Sequence, residues 1–445
     1  MAVLTGWGRA LPGRSTIHTV DPADTAGVAA VLAEVGPRGL ISRGMGRSYG
    51  DPAQNTGGGV IELERGDDIA LEPAAGTVTA AGGVTLARLL EVIVPQGWFV
   101  PVTPGTRYVT IGGAVASDIH GKNHHDDAAF GGSFGNHVTN LTLMLADGSV
   151  VDVGPDRDPD LFWATVGGMG LTGVILGATF RVVPIETSLM SVDTRRIGDL
   201  DELMAAMSDT DRGTRYSVAW LDQLATGRHL GRGVLTNAEH ATVDQLDARR
   251  AADPLAYSAR QLASVPPLVP PSGVINRLTV RAFNEIWFRK APPRRDAELQ
   301  TIPAYFHPLD AVGEWNRVYG RGGFLQYQFV VPHGAESTLR TIVERLAAAG
   351  LPSFLTVLKR FGPGNPGMLS FPMGGWTLAV DVATSLPGLA ELLTGLDRTV
   401  LDAGGRHYLA KDAHMTPEAV VRGYPRLAEW QAVRRRVDPT GVWAS

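Results

Sequence analysis

Apolar residues in the first 185 positions alternate between helical spacing and short runs that are typical of strands. The predicted helices cover 24–35, 86–94 and 160–166, and the predicted strands cover 40–42, 59–63, 76–81, 138–145 and 173–182. This alternation predicts an α+β domain with mixed sheets.

The pattern changes near residue 187, where glycine becomes less frequent and polar and apolar residues alternate along Tyr216–Trp220 and Phe324–Val330. A period of two predicts an antiparallel sheet. Helical spacing over 336–349 and 386–403 predicts two helices that cover one face of this sheet. A further amphipathic helix is predicted over 424–437.

A proline-rich segment interrupts this second part of the chain. Within 256–290, the run Val265–Pro271 contains two proline pairs, which are incompatible with regular strand pairing or a helix. We therefore expect a loop or a lid over 256–290.

Composition narrows the function classes. The 445 residues are 44% hydrophobic and 19% charged, which is typical of a globular protein, and the net charge of -5 gives no reason to expect nucleic acid as a partner. The absence of cysteine excludes disulfides, thiolate nucleophiles and cysteine metal sites. The first residues lack the basic start and apolar run of a signal peptide, and no apolar stretch is long enough to span a bilayer, so any membrane contact is expected to be peripheral.

Lysine is rare in this chain. Only Lys122, Lys290, Lys359 and Lys411 occur among the 40 basic residues. Because arginine fills the ordinary basic positions, a lysine here indicates a site that needs a compact ammonium group with an adjustable pKa. Chance placement is the alternative explanation.

Three glycine-rich segments carry the strongest chemical signal. Arg43–Asp51 follows a predicted strand, and its glycines allow backbone amides to approach a pyrophosphate, to which Ser48 can add a hydroxyl donor. It lacks the GxGxxG pattern of the Rossmann fold, and a plain glycine turn between two strands is the alternative. Pro101–Ala116 places Thr110 and a glycine pair at a predicted helix start, and Trp163–Ile175 has glycines that allow tight packing beside a ring.

These segments resemble the FAD-binding loops of the vanillyl-alcohol-oxidase (PCMH-type) superfamily. A closer resemblance, over essentially the whole chain, is to the decaprenylphosphoryl-β-D-ribose 2′-oxidase family, the flavoprotein half of the actinobacterial 2′-epimerase. The motifs that carry it are LTGWGR at 4–9, DIHGKNHH at 118–125, SFGNH at 133–137, LFWATVGG at 161–168, HPLD at 307–310, GEWNR at 313–317, FLQYQF at 324–329 and AKD at 410–412.

The resemblance implies a two-subdomain PCMH-type FAD-binding domain at 1–186, an antiparallel-sheet substrate (cap) domain at 187–404 and a return to the first domain at 405–445. FAD is expected to bind without a covalent bond. The residues expected to contact it are Arg43, Gly44, Met45, Gly46, Arg47, Ser48, Tyr49, Gly50, Gly105, Thr110, Ile111, Gly112, Gly113, Ser117, His120, Asn123, His124, Val174 and Tyr408.

The implied reaction is oxidation of the ribose 2′-hydroxyl of decaprenylphosphoryl-β-D-ribose to the 2′-ketone, with hydride transfer to FAD. An NADH-dependent keto-reductase is the expected partner, which completes epimerisation to the arabinose donor for cell-wall arabinan. The protein is expected to lie in the cytoplasm or peripherally at the inner membrane. Apolar residues of the segment 256–290 are expected to cover the lipid tail.

Alcohol oxidation needs a group that takes the hydroxyl proton, and Lys411 is the first candidate because a desolvated lysine can have a pKa near neutrality. A surface lysine is the alternative. Tyr49 and Tyr408 are candidates for proton relay or flavin contact. The resemblance favours Gln328 over Gln326 for the sugar. The other residues expected to contact the substrate are Lys359, Lys122, Tyr305 and Thr377, of which the two lysines either bind the phosphate or form salt bridges between domains.

The histidine cluster His120, His124 and His125 leaves three interpretations open. A metal site is one, because histidines four apart share a helix face, but Gly121 and Asn123 disfavour a helix. A structural loop is the second. The third, implied by the resemblance, places 117–125 along FAD, with His120 near the ring and Lys122 near the substrate phosphate. The segment 125–133 looks longer than the family pattern.

Two further interpretations compete. The first is an aldonolactone or alditol oxidase of the same superfamily, and the second is a flavin-free protein that only binds a prenyl-phosphosugar. A departure from the family also stands at Ala379, where mycobacterial members carry the cysteine that nitroaromatic inhibitors trap. We expect no such adduct on this chain.

Overall fold

The first 63 residues form a mixed four-stranded sheet with one helix. The computed structural model describes residues 1–125, 130–211, 213–270, 273–412 and 414–445. In chain order the first elements are β1 (Ala2–Leu4), β2 (Gly13–Val20), α1 (Thr25–Ala33), β3 (Leu40–Arg43) and β4 (Gly59–Leu63). Their strand order is β1-β2-β4-β3, with β4 parallel to both β2 and β3 and β1 antiparallel to β2.

A five-stranded antiparallel sheet follows. Its segment contains β5 (Ile69–Glu72), β6 (Thr77–Ala81), α2 (Leu86–Ile93), β7 (Trp98–Phe99), α3 (Ile111–Ala116), β8 (Val138–Met144), β9 (Val150–Val153), α4 (Pro159–Thr165), β10 (Val174–Arg181) and β11 (Val183–Pro184). The strand order is β5-β6-β10-β8-β9. Four apolar residues of α2 at helical spacing are fully buried in the core beneath this sheet: Leu86, Leu89, Leu90 and Ile93.

An eight-stranded antiparallel sheet dominates the rest of the chain. Its segment contains β12 (Leu189–Ile197), α5 (Leu200–Thr210), β13 (Tyr216–Leu221), β14 (Gly233–His240), α6 (Ala248–Ala251), β15 (Ala263–Ser264), α7 (Arg277–Lys290), β16 (Arg294–Thr301), α8 (Ile302–Phe306), β17 (Val312–Gly313), β18 (Phe324–Pro332), α9 (Glu336–Ala348), β19 (Thr356–Phe361), β20 (Gly375–Ala383), α10 (Leu389–Asp402) and β21 (Arg406–His407). The strand order is β16-β12-β14-β13-β19-β20-β18-β21.

The two faces of this sheet differ in chemistry. Along β18, Leu325, Tyr327 and Phe329 join the core that the sheet forms with α5, α9 and α10. Gln326 and Gln328 alternate with them and therefore point to the opposite face, toward the first two sheets. The eight-stranded sheet is therefore buried on both faces, and its polar face lies in the interior of the protein.

The last residues return to the first part of the chain through α11 (Pro417–Gly423) and α12 (Leu427–Val437). The indole Nε1 of Trp430 donates to the Ala164 carbonyl oxygen at 3.0 Å. Trp443 is fully buried and forms a β-bridge with Leu40. Because β21 pairs with β18 first, the return starts from the edge of the eight-stranded sheet.

The predicted α+β class with antiparallel sheets is confirmed, and β4 and α9 begin at the predicted residues. The expectation of a loop or lid throughout 256–290 is wrong for its second half, because α7 forms a regular helix after the prolines, started by the Asn276 side chain, which accepts from Leu278 and Thr279 amides. The boundaries 1–186, 187–404 and 405–445 stay a prediction. No helix in the described part of the chain is long and apolar enough to cross a membrane.

Candidate active site

A cavity of about 930 Å³ lies between the first two sheets and the polar face of the eight-stranded sheet. Its walls come from the three glycine-rich segments on one side and from β13, β18, β19 and β20 on the other. All four lysines of the chain line this cavity: Lys122, Lys290, Lys359 and Lys411.

The first glycine segment supplies free backbone donors. The amides of residues 45–48 donate no hydrogen bond to any described residue. Gly46 has φ +61°, a left-handed conformation that favours glycine, and a Cβ at Gly44 would lie 2.3 Å from the Thr110 hydroxyl oxygen. A run of free amides at the end of a strand fits a diphosphate.

The second and third glycine segments are joined by backbone hydrogen bonds. The amide of Gly167 donates to the Val115 carbonyl at 3.0 Å, and the amide of Met169 donates to the Ala116 carbonyl at 2.9 Å. The amide of Gly112 donates to Gly82 at 2.9 Å. These bonds hold α3 and the 167–173 turn side by side along one wall of the cavity.

Arg47 adds a buried cation to the amide wall. Its guanidinium lies 3.7 Å above the Trp7 ring, its Nε is buried without a partner in the described part of the chain, and burial lowers its pKa. The free amides, the Arg47 guanidinium with its unpaired Nε and the glycine-lined wall fit the diphosphate and ring of FAD.

His120 and Gln328 connect the two halves of the site. The Gln328 Nε2 group donates to His120 Nε2 at 3.0 Å and to the Thr377 hydroxyl at 3.3 Å. His120 Nδ1 therefore carries the ring proton, and it has no partner among the described residues. Burial, together with the charges of Lys359, His124 and Lys411, lowers the pKa of His120 well below its usual range, so the ring is neutral.

Lys411 lies at the junction of the glycine segment and the sheet. Its ammonium nitrogen is 3.7 Å from the centre of the Tyr49 ring. Burial, opposed by the Asp381 carboxylate and assisted by the charge of Lys359, lowers its pKa to about 7. An amine with this pKa accepts or releases a proton near neutral pH.

Two more amines lie deep in the protein and open into the cavity. Burial lowers the pKa of Lys359 to about 7, and burial followed by the charge of Lys359 lowers the pKa of Lys122 to about 7. Lys359 donates to the Gly121 carbonyl at 3.4 Å, and Lys122 lies 3.8 Å from the Tyr305 ring centre while it donates to the Tyr305 carbonyl.

Asp381 is a site residue that the sequence analysis missed. It is fully buried, accepts from Gln326 Nε2 at 2.6 Å and from the Tyr319 hydroxyl at 3.5 Å, and burial raises its pKa to about 7. No local pattern in the sequence marks Asp381, because its place follows from the β18–β20 register, in which it stands opposite Gln326 and shares its face.

Asp118, which was also missed, organises the loop that carries His120. Its carboxylate accepts from the amide of Gly135 at 2.8 Å and from the side chains of Ser133 (2.8 Å), Asn365 (2.8 Å) and Ser370. The Tyr408 hydroxyl donates to the neighbouring Ser117 carbonyl at 2.8 Å. The loop is therefore fixed from both sides.

Most predicted site residues lie in the cavity wall. The predicted residues found there are Arg43, Gly44, Met45, Gly46, Arg47, Ser48, Tyr49, Gly105, Thr110, Gly112, Gly113, Ser117, His120, Lys122, Val174, Tyr305, Gln328, Lys359, Tyr408 and Lys411.

Five predicted residues lie outside the wall. Asn123 donates to the Pro101 and Phe130 carbonyls at 2.9 and 2.7 Å, and the His124 ring packs 4.5 Å from the Phe361 ring centre. Ile111 belongs to the hydrophobic core, and Thr377 lies behind Gln328. The Gly50 carbonyl packs against Gly6, where a Cβ would lie 1.9 Å away. These residues support the wall from behind.

The three histidines of the cluster diverge. His120 faces Gln328, His124 packs on Phe361, and His125 Nε2 lies 2.9 Å from the Thr214 carbonyl. In the described part of the chain, no three His, Asp or Glu residues are placed to hold a metal ion. The longer segment at 125–133 includes residues 126–129, which lie outside the described residues.

Comparisons with known proteins agree with this geometry. The sequence model of the FAD binding domain family matches residues 17–154, and that of the D-arabinono-1,4-lactone oxidase family matches residues 373–445. The decaprenylphosphoryl-beta-D-ribose oxidase of Mycolicibacterium smegmatis is 46% identical over 99% of this chain and 95% of its own length. An uncharacterized protein of Streptomyces coelicolor is 42% identical over 81% of this chain and 98% of its own length.

More distant relatives match only in part. The D-arabinono-1,4-lactone oxidase of Yarrowia lipolytica is 29% identical over 25% of this chain and 20% of its own length. The oxidase of M. smegmatis thus matches nearly the whole chain, whereas the lactone oxidases are distant relatives that match in part. This chain is an FAD-dependent oxidoreductase and belongs to the decaprenylphosphoryl-β-D-ribose oxidase family of the PCMH-type superfamily.

Proposed function

We propose that this protein oxidises the ribose 2′-hydroxyl of decaprenylphosphoryl-β-D-ribose to the 2′-ketone, the first half of an epimerisation to the arabinose donor. The near-full-length relative from M. smegmatis bears the name of this substrate. The observation that carries the proposal is the convergence of the three buried lysines, Lys122, Lys359 and Lys411, on the cavity that the FAD-binding loops line.

Lys122 and Lys359 are the proposed phosphate ligands. Both have their pKa lowered to about 7 by burial, and no carboxylate contributes to either shift. Buried amines without a carboxylate partner favour an anionic ligand, because the ligand charge offsets the desolvation of the ammonium groups. The phosphate of a prenyl-phosphosugar supplies that charge.

Lys411 is the proposed base. Bound FAD supplies the acceptor for the hydride of the carbinol carbon. As the hydride leaves, the neutral amine of Lys411 takes the hydroxyl proton, and the C–O bond becomes the ketone. Gln328 and His120 hold each other at 3.0 Å in the same wall, which fixes their polar groups toward the sugar.

Aldonolactone oxidation is the second candidate, favoured by the match of residues 373–445 to the lactone oxidase family. That stretch contains Lys411 but neither Lys122 nor Lys359. The shared part thus holds the proposed base, whereas the proposed phosphate ligands lie outside it.

We further propose the keto-reductase partner, a peripheral membrane contact, a place in the cytoplasm or at the inner membrane, and the domain boundaries 1–186, 187–404 and 405–445. The lipid substrate is the reason for the membrane contact. The ketone product, which must be reduced to complete an epimerisation, is the reason for the partner.

Anaerobic mixing with decaprenylphosphoryl ribose tests the function. We expect rapid bleaching of the visible flavin absorbance and formation of the 2′-ketone, detected by mass spectrometry. L-Gulono-lactone and alditols are the matched controls. Bleaching by these soluble compounds and not by the phosphosugar would establish the second candidate instead.

A further inference from the structure

The outer surface of α7 carries apolar side chains where a surface helix ordinarily carries polar ones. Leu278, Ala282 and Ile286 recur every four residues and so form one stripe. Leu278 is 79% exposed and Ile286 is 68% exposed. The buried side of the same helix consists of Val280 and Asn284.

A polar network fixes this orientation. Asn284 Nδ2 donates to the Asp222 carboxylate at 2.7 Å, and Glu285 pairs with Arg232 at 2.6 Å. The Arg232 guanidinium also lies 4.5 Å from the Phe288 ring centre. Rotation of the helix to bury its apolar stripe would leave Asp222 and Asn284 without these partners.

The exposed large hydrophobic side chains are concentrated in this stretch of the chain. Half of the fourteen exposed large hydrophobic side chains in the described part of the protein lie between residues 262 and 287. They are Leu262, Leu268, Val274, Leu278, Phe283, Ile286 and Trp287. A concentration of this kind marks a surface that another apolar phase covers.

The charge of this surface opposes that of the whole protein. Residues 256–290 contain five basic residues and one acidic residue, whereas the chain has a net charge of -5. Arg260, Arg277 and Arg281 form no ion pair with any described residue, while Arg289 pairs with Glu285. Basic residues beside an apolar stripe are the pattern of helices that lie in the interface of an anionic bilayer.

The surface continues into the mouth of the cavity. Phe283 and Trp287 are stacked with ring centres 6.0 Å apart, and both line the cavity together with Lys290. An apolar path therefore leads from the exposed stripe to the proposed substrate site.

We propose that α7 and the described residues before it, 259–270 and 273–276, lie in the interface of an anionic lipid bilayer and deliver a membrane-held prenyl-phosphosugar to the cavity. The choice of cargo rests on the proposed function, whereas bilayer binding does not. The prenyl chain stays in the lipid while the phosphosugar passes Trp287 and reaches Lys122 and Lys359.

Sedimentation with vesicles tests the surface, using the FAD-loaded protein without substrate. Vesicles of phosphatidylcholine are compared with vesicles that also contain phosphatidylglycerol. We expect binding to the anionic vesicles that weakens with added salt. The L278E/I286E variant and, separately, the R260E/R281E variant should each bind about tenfold more weakly.

The V3E/V421E variant is the matched control, because Val3 and Val421 are similarly exposed, at 61% and 62%, outside this surface. It should bind as the wild type does. Flavin content verifies the fold of each variant. A wild-type protein that binds neither vesicle type overturns the proposal, including the outcome in which a protein partner such as the keto-reductase covers α7.

Turnover of a water-soluble, short-prenyl phosphoryl ribose separates the two proposals. If this compound is not oxidised while vesicle binding is present, the proposed function fails and the bilayer surface stands. If it is oxidised equally by the wild type and the L278E/I286E variant while neither protein binds vesicles, the surface fails and the function stands.

Discussion

The Lys411 ammonium group lies over the Tyr49 ring, with 3.7 Å between its nitrogen and the centre of the ring. A backbone hydrogen bond of 3.1 Å from the Tyr49 amide to the Ala410 carbonyl holds the two segments together. The segment that carries the proposed base is therefore bonded directly to the loop whose free amides line the cavity.

Replacement of Lys411 tests its role as base. We expect Lys411→Met to slow flavin reduction about 10²- to 10⁴-fold, because no neutral amine remains to take the proton. Lys411→Arg should not restore the rate, since a guanidinium stays protonated. Anaerobic stopped-flow absorbance measures both. Lys290→Met, at the exposed mouth of the cavity, is the control, and a fast K411M enzyme would contradict the assignment.

The pH dependence follows from the same amine. The rate of flavin reduction should rise with pH through about 7, where Lys411 loses its proton. Because the Asp381 carboxylate raises the pKa of Lys411, Asp381→Asn should shift this midpoint to lower pH. Asp402→Asn, which changes an exposed carboxylate, should leave it in place. Identical profiles for all three proteins would exclude the coupling.

Lys359 should cost stability in exchange for ligand binding. Folding lowers the pKa of Lys359 from 10.5 to about 7. Between pH 7 and 10.5 the unfolded chain therefore binds more protons than the folded chain, so the free energy of unfolding increases as the pH rises. We expect Lys359→Met to stabilise the ligand-free protein at neutral pH by about 1 kcal/mol and to flatten this slope. Calorimetry at several pH values measures the change.

The same variant should lose affinity for the phosphate. Isothermal titration with the short-prenyl phosphoryl ribose should show binding weakened about tenfold or more. Lys290→Met again serves as the control for a lysine at the mouth. Unchanged affinity in K359M would assign the phosphate to other groups.

The affinity for FAD should depend on Gly46. Gly46 has φ +61°, and the Cβ of an alanine at this position would lie only 2.3 Å from the Arg43 guanidinium. That guanidinium donates to the Thr5 carbonyl at 2.7 Å. We expect Gly46→Ala to weaken FAD binding about tenfold, measured by flavin fluorescence on the apoprotein. Gly388→Ala has φ +70° but open space around the Cβ, so it should strain the backbone equally and leave FAD affinity unchanged.

Ala379 should decide the response to nitroaromatic inhibitors. It lines the cavity and pairs with Gln328 in the β18–β20 register, so a cysteine there would face the same space. Intact mass spectrometry should find no adduct on the wild type and one adduct on Ala379→Cys after turnover with the inhibitor. An adduct on the wild type would contradict the resemblance-based expectation.

Periodicity and glycine spacing in the sequence predict much of this structure. Each of the segments 43–51, 101–116 and 163–175 contributes glycines to the wall of one cavity, and each adjoins a buried element whose apolar spacing is strong. The scarcity of lysine was equally informative, since a residue type used four times in the chain lines a single cavity four times.

Other features depended on tertiary contacts that local patterns do not encode. The strand β16 carries Arg294, Arg295 and Asp296 at an open sheet edge, where charge discourages further pairing. These charged residues remove the apolar alternation by which a strand is predicted from sequence. The helix α7 turns its apolar stripe outward because Asn284 is bound by Asp222, a contact between residues 62 positions apart. Asp381 became visible as a site residue only through its cross-strand partner.

The bridge between Leu40 and Trp443, together with the bond from Tyr49 to Ala410, has a consequence for biosynthesis. The glycine segment 43–51 is synthesised early in translation. Its partners Ala410 and Trp443 are synthesised only after residue 406. A nascent chain that ends before residue 406 lacks Lys411 and both of these contacts, so we expect stable FAD binding only after the C-terminal residues have been synthesised.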